Sequence, residues 1–187
     1  LEAVAPFGPP LFVLVSVDQR ATLFLPRENQ VLERGDPREV LQALTGVPID
    51  PSELADLLTG CVRSTGPGET RRFGDTWYVT RTGDRELYAH REGTDAPWRL
   101  VATVSHPPAR QAWRAEFRDH LDGLPRAVRL TGADGPDTEF DVQLILSQVD
   151  INMPIDAAAF RVEVPPDARP ITAADLERSG PLGAAAS

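Results

Sequence analysis

The chain has 187 residues, 41% of them apolar, 25% charged and 6% aromatic, which is enough for about 1 to 1.5 globular domains and one substantial core, and is unlike a disordered or fibrous composition. Twenty-eight acids against 19 bases leave a net charge of −9, and no broad basic face is available for a phosphate backbone, which argues against a nucleic-acid partner. No run approaches the ~20 apolar residues of a membrane-spanning helix, and the single Cys61 excludes an internal disulfide framework or a CxxC metal site.

All 19 bases are arginine, which reads as genome base composition rather than chemistry. The chain opens Leu1-Glu2-Ala3-Val4, with no Met, no basic n-region and no signal segment. It is therefore expected to be processed or truncated, and this end says nothing about compartment.

The first residues predict a β-meander. Leu11 to Val17 is rich in β-branched residues and ends at a turn, Asp18-Gln19. Arg20 to Leu25 follows and stops at Pro26, and Asn29 to Glu33 is a further short strand. The pattern then changes. Asp36 is an N-cap candidate, Pro37 suits the first helical position, Val40, Leu41 and Leu44 share a face, and Gly46 stops the helix. A Pro-rich corner leads to a second helix from Ser52 to Thr59, with Leu54, Leu57 and Leu58 on one side and Gly60 at its end. Both helices are too short to stand alone, so their leucines need an apolar surface.

Strands resume after Gly66-Pro67-Gly68. Those expected are Asp75 to Thr82, Arg85 to Arg91, Trp98 to Ser105, Gln111 to Asp119, Ala127 to Thr131 and Thr138 to Ile151. Gly83-Asp84, Gly93-Thr94 and Asp134-Gly135-Pro136 supply turns. In Gln111 to Asp119 a strict period of two sets Trp113, Ala115 and Phe117 against Arg114, Glu116 and Arg118, and outweighs the helix propensity of Ala, Arg and Glu. Phe140, Val142, Leu144 and Leu146 likewise oppose Asp141, Gln143, Ile145 and Ser147. Phe160 to Val164 reads as a last strand and Thr172 to Arg178 as a terminal helix. The whole is expected to be one domain over residues 1–179: early strands 1–34, helices 36–60, strands 70–165 and a helix 172–178. A mobile tail, 180–187, follows. It is mainly β with small α, one meandering antiparallel sheet bearing a helix pair.

Little in the chain points to bond chemistry. His90, His106 and His120 fall in no metal-binding spacing. Asp134 and Asp137 sit in a Gly-Pro turn and read as turn formers. There is no GxSxG, P-loop or GxGxxG. Cys61 reads as a buried or inert thiol. The expectation is a protein that is not an enzyme and needs no cofactor and no metal.

The informative residues are apolar. Trp77, Val79, Leu87, Leu100, Ala102, Val104, Trp113, Phe117, Leu144 and Leu146 are expected on one sheet face, under the helix pair. Such a curved sheet either packs solid or leaves a cavity for an acyl chain, and both readings stay open. The candidate set is Leu41, Leu44, Leu54, Leu57 and Leu58 of the helices with Trp77, Trp113, Phe117 and Leu144 of the sheet.

Three segments resemble the LolA/LolB lipoprotein carrier and receptor superfamily. Val4-Ala5-Pro6-Phe7-Gly8, the strand to Val17, and Ala21-Thr22-Leu23-Phe24-Leu25-Pro26 are similar to the central hairpin of the LolB branch, with its apolar loop tip. Leu44-Thr45-Gly46-Val47-Pro48-Ile49 followed by Leu54, Leu57, Leu58 and Gly60 is similar to its lid corner. Asn152-Met153-Pro154-Ile155-Asp156, Phe160 and Val164-Pro165 resemble the closing strand of the LolA branch. The resemblance implies an open antiparallel β-barrel capped by lid helices, holding lipid or lipoprotein acyl chains without catalysis. It places Phe7 at a protruding tip that touches membrane or partner. It also implies a periplasmic or outer-membrane-anchored protein, peripherally attached through an upstream lipidated cysteine. The first strands, the signal peptide and that cysteine are absent from this sequence, the family's tip Leu is here Phe7, and Cys61 sits after the lid. A divergent role is the alternative: an accessory or sensor subunit of a membrane complex, built on the same scaffold.

Overall fold

Asp18 and Gln19 both take left-handed backbone, φ 49 and 59. That is the two-residue hairpin geometry whose twist matches the flanking strands, and it joins β2 (Phe12–Val17) to β3 (Arg20–Leu25). The computed structural model describes residues 1–3, 9–62, 67–108, 111–132 and 140–179. The chain divides into two units, residues 1–51 with 150–187, and residues 52–149.

In the first unit, β1 (Glu2–Ala3) pairs with β2, and β4 (Gln30–Gly35) pairs antiparallel with β3. Phe12, Leu14, Ala21, Leu23 and Leu25 form the buried face. Helix α1 (Pro37–Thr45) packs on β3. Asp36 accepts from the N–H groups of Arg38 and Glu39, and Gly46, at φ 74, donates to the Gln42 carbonyl. These caps satisfy groups the helix ends would leave open.

The second unit begins with α2 (Pro51–Thr59), which closes the first unit with its Pro51 and lies otherwise in the second. A seven-stranded antiparallel sheet follows. Its strands are β5 (Glu69–Phe73), β6 (Trp77–Thr82), β7 (Arg85–His90), β8 (Arg99–Ser105), β9 (Trp113–Arg118), β10 (Ala127–Gly132) and β11 (Asp141–Ile145). Each pairs with the next in sequence, a β-meander.

The chain then returns to the first unit. A 3₁₀ turn, Ala157–Phe160, is capped by Asp156. A two-residue strand, β12 (Arg169–Pro170), runs parallel to β4. Helix α3 (Ala173–Ser179) packs on α1, with Leu176 buried. Thr172 and Asp175 cap it reciprocally: the Thr172 N–H donates to the Asp175 carboxylate and the Asp175 N–H to the Thr172 hydroxyl.

The fold is thus mainly β with small α, as the sequence implies, but it contains two open sheets rather than one. The orders are β1-β2-β3-β4-β12 and β11-β10-β9-β8-β7-β6-β5. The meander stops where the helices intervene, and β12 takes the free edge of β4. Two expected strands also change. Thr138 to Ile151 reduces, among the described residues, to Asp141–Ile145, because β10 offers partners only from Ala127 to Thr131. Phe160 to Val164 forms no strand; Phe160, Val162 and Val164 lie instead beside residues of the sheet's outer face. Strand β5 has no counterpart in the expectation. The turn at Asp134-Gly135-Pro136 and the tail from residue 180 lie outside the described residues.

Candidate functional site

Register separates the two faces of the seven-stranded sheet. Ala115 lies opposite Thr103 and Leu130, and Phe117 opposite Val128. Cross-strand partners share a face, so Trp113, Ala115, Phe117, Val128 and Leu130 form one apolar inner face, all of it buried. Arg114, Glu116, Arg118 and Arg129 project from the other face. This is the alternation of an antiparallel sheet wetted on one side.

Helix α2 lies on the inner face. Arg85 of β7 donates to the Glu53 carboxylate at 2.6 Å, with the two side chains only 14% and 17% exposed. The same guanidinium sits over the Trp113 ring, 5.6 Å from its centroid. At the other end of α2, a Cβ added to Gly60 would come within 3.2 Å of Pro125, just before β10. A nine-residue helix is about 13 Å long, close to the three strand spacings of roughly 4.8 Å from β7 to β10. Helix α2 therefore crosses β7 to β10. Leu57 is one helical turn after Glu53 and so faces the sheet; it is 1% exposed. Leu54 and Leu58 flank it, half-buried.

Of the sequence-derived set, Leu57, Trp113 and Phe117 share this buried layer, with Leu54, Leu58 and Leu144 half-buried at its margin. Leu41 and Leu44 are buried in α1, which packs on β3 and α3 of the first unit. Trp77 belongs elsewhere. It is 40% exposed and sits on the outer face, because Val79, two residues on, pairs with Tyr88, Tyr88 with Ala102, and Ala102 with Glu116. Val79, Ala102 and Val104 follow it. The bulge at Tyr88/Ala89 shifts the parity, so Leu100 and Ala102 project oppositely although they are two residues apart. Phe7 lies outside the described residues, as do Asp134 and Asp137.

The outer face carries paired charges. Tyr88 donates to Glu86 at 2.6 Å, and Arg81 donates to the same carboxylate. The Tyr88 hydroxyl and the Arg81 guanidinium hold the Glu86 carboxyl below its usual range, and that carboxylate in turn pushes the Tyr88 phenol up. Arg129 grips Asp141 through two bonds of 2.9 and 2.6 Å, and this holds the Asp141 carboxyl down. A polar hollow of about 310 Å³ lies beside them, lined by Arg118, Ala127 and Gln143 as well.

The histidines are engaged without gathering. His90 packs against Trp77 with ring centroids 4.5 Å apart, His120 Nε2 lies 3.1 Å from the Leu100 carbonyl, and His106 is exposed at the end of β8. Among the described residues no group of three or more His, Cys, Asp or Glu could hold a metal ion, and no helix is long and apolar enough to cross a membrane. Cys61, expected to be a buried or inert thiol, is exposed just past α2, beyond the left-handed Gly60 that ends the helix.

No protein-family model, curated protein or solved structure matches this chain at a significant level.

Proposed function

We propose that this chain is a non-catalytic cell-envelope protein that binds lipid or lipoprotein acyl chains between the inner face of a curved sheet and a helical lid, in the manner its resemblance to the LolA/LolB superfamily implies. One observation carries the reading. Helix α2 lies across an apolar sheet face and is held there by a polar pair, Glu53 and Arg85, rather than by continuous apolar packing on all sides. Leu57 is the central contact, and Leu54, Leu58 and Leu144 are the half-buried residues an entering chain meets first. Two largely buried charges regain their hydration when α2 lifts, so the pair makes a releasable clasp; a wholly apolar seam would not. On this reading α2 is the lid, Leu41 and Leu44 support the first unit, and attachment to the outer membrane runs through an upstream lipidated cysteine. The test is mass spectrometry of lipid extracted from the purified protein. Co-purified acyl lipid that Leu57→Glu abolishes is expected; its absence from protein expressed in envelope-bearing cells overturns the reading.

A second reading has its own observation. Strand β5 is an edge strand exposed along its whole length, and Phe73, 56% exposed, sits opposite Trp77. An edge strand exposed among the described residues, with neighbouring aromatics, suits pairing with another chain, as in an accessory or sensor subunit of a membrane complex. Under that reading Phe73→Ser with Trp77→Ser releases the chain from the membrane fraction and leaves any lipid content unchanged.

A further inference from the structure

The outer face of the five-stranded sheet, turned away from α1, carries a groove of about 440 Å³, within the range of small-molecule sites. Val15, Val17 and Thr22 line it from the sheet, and Phe160, Val162 and Val164 from the returning chain. Part of this apolar lining is open to water: Val17 is 47% and Phe160 52% exposed.

The groove's charge is unbalanced. Arg20, Arg34 and Arg161 line it against one carboxylate, Glu33. In a chain of net charge −9, other arginines are matched by acids, among them Arg38 by Asp50 and Arg129 by Asp141. Among the described residues no carboxylate pairs with Arg20, Arg34 or Arg161.

Arg34 is also held there by its backbone. Ala21 pairs with Gly35 and Leu23 with Leu32, so Glu33 and Arg34 together oppose the single residue Thr22. This is a β-bulge, and bulges re-aim side chains. Arg34 takes φ 58 within it, a left-handed conformation that a non-glycine residue adopts only where its surroundings impose it.

We propose that this groove binds a free long-chain carboxylate, its chain against Val15, Val17, Phe160 and Val164 and its head group between the guanidiniums of Arg34, Arg20 and Arg161. Guanidiniums bond a carboxylate through two parallel N–H groups, and the apolar strip beside them rewards a chain over a small anion. The site is in the first unit and independent of α2, so its failure and that of the lid reading are told apart.

The test is calorimetric titration of the full chain with laurate at low ionic strength. Dodecyltrimethylammonium, acetate and phosphatidylglycerol vesicles serve as comparison probes. A laurate-binding component that depends on Arg34 and Arg161 is expected, with neither the cationic analogue nor acetate nor the vesicles replacing it. Arg34→Gln with Arg161→Gln is expected to weaken laurate on the order of a hundredfold, the loss of two charged contacts at roughly tenfold each, at unchanged Tm. Leu58→Gln, on α2, leaves this arginine-dependent component unaltered, whatever it does to acyl binding under the helix. Should the double variant unfold, Arg20→Gln on the exposed hairpin reads the same groove. No laurate binding, equal binding of the cationic analogue, binding of vesicles alone, or an affinity indifferent to the arginines each overturns the proposal.

Discussion

Arg85 reaches across 2.6 Å to Glu53 while its guanidinium lies over Trp113, so one side chain ties helix α2 both to a charge and to the apolar layer beneath it. Both members are largely buried, at 14% and 17% side-chain exposure. Removing one leaves the other's charge poorly solvated, whereas removing both does not. Glu53→Ala should therefore cost about 1–3 kcal/mol, and considerably less in an Arg85→Met background, where Met still covers Trp113. A double-mutant cycle by urea unfolding reads the coupling. Additive costs would mean the pair is incidental to holding α2.

Leu57 is the one α2 leucine fully shut from water, and Leu54 and Leu58 flank it half-buried. Leu57→Ala should cost ~2–5 kcal/mol if the layer under α2 is filled, and Leu58→Ala clearly less. A small cost at Leu57, equal to that at Leu58, would indicate space beneath the helix and favour an acyl chain as the missing filler.

Local signals were legible in the sequence where local chemistry decides the outcome. Asp36-Pro37 and Gly46 bound α1 at its observed ends, and the alternation of Trp113, Ala115 and Phe117 names the buried face of β9. What was not legible depends on partners distant in sequence. Strand β5 reads Glu-Thr-Arg-Arg-Phe and has no apolar face; it forms because β6 offers an edge, with Thr70 and Thr80 hydroxyls bonded at 3.0 Å and Glu69 opposite Arg81. The bulge at Tyr88/Ala89 inverts the parity of β8 and removes Ala102 and Val104 from the face to which a simple period assigns them. Glu53 and Arg85 are 32 residues apart, and no spacing rule joins them. Likewise, Arg34 is one arginine among 19 until its bulge is seen.

The Tyr88–Glu86–Arg81 cluster gives the fold a pH dependence with two signs. The Glu86 carboxyl is depressed from its ordinary 4.5 by the Tyr88 hydroxyl first and Arg81 second. Its contribution is therefore complete above that value and lost as pH falls through the folded-state value. The Tyr88 phenol is raised from its ordinary 10.0 by the Glu86 carboxylate, so its contribution is complete below that value and lost as pH rises through the folded-state one. Glu86→Gln should narrow its stability gap to the parent as the solution is acidified. It should also return Tyr88 toward its ordinary titration, read by phenolate absorbance in a Tyr78→Phe background. A Tyr88 that already titrates normally in the parent would dismiss the coupling.

Gly35 closes β4 against the start of α1, and the fit there is set by volume. A Cβ at this position would stand 2.5 Å from Leu32 Cδ2 and 2.7 Å from Val40 Cγ2, closer than carbon atoms approach. Leu32 and Val40 are both buried, the latter wholly, and a β-branched side chain on a helix has one comfortable rotamer. The added methyl must therefore move the helix or the strand. Gly35→Ala is expected to cost about 1–3 kcal/mol by overpacking, and Val40→Ala in the same chain should recover part of that by vacating the clash. Gly46 provides the contrast. It has nothing within 4 Å of a new Cβ but a φ of +74, so Gly46→Ala costs through backbone alone, about 1–2 kcal/mol, and Val40→Ala gives no relief. Thermal unfolding of the three single and two double variants separates the mechanisms. If Val40→Ala rescues neither or both, the close approach of β4 to α1 is not what requires glycine at position 35.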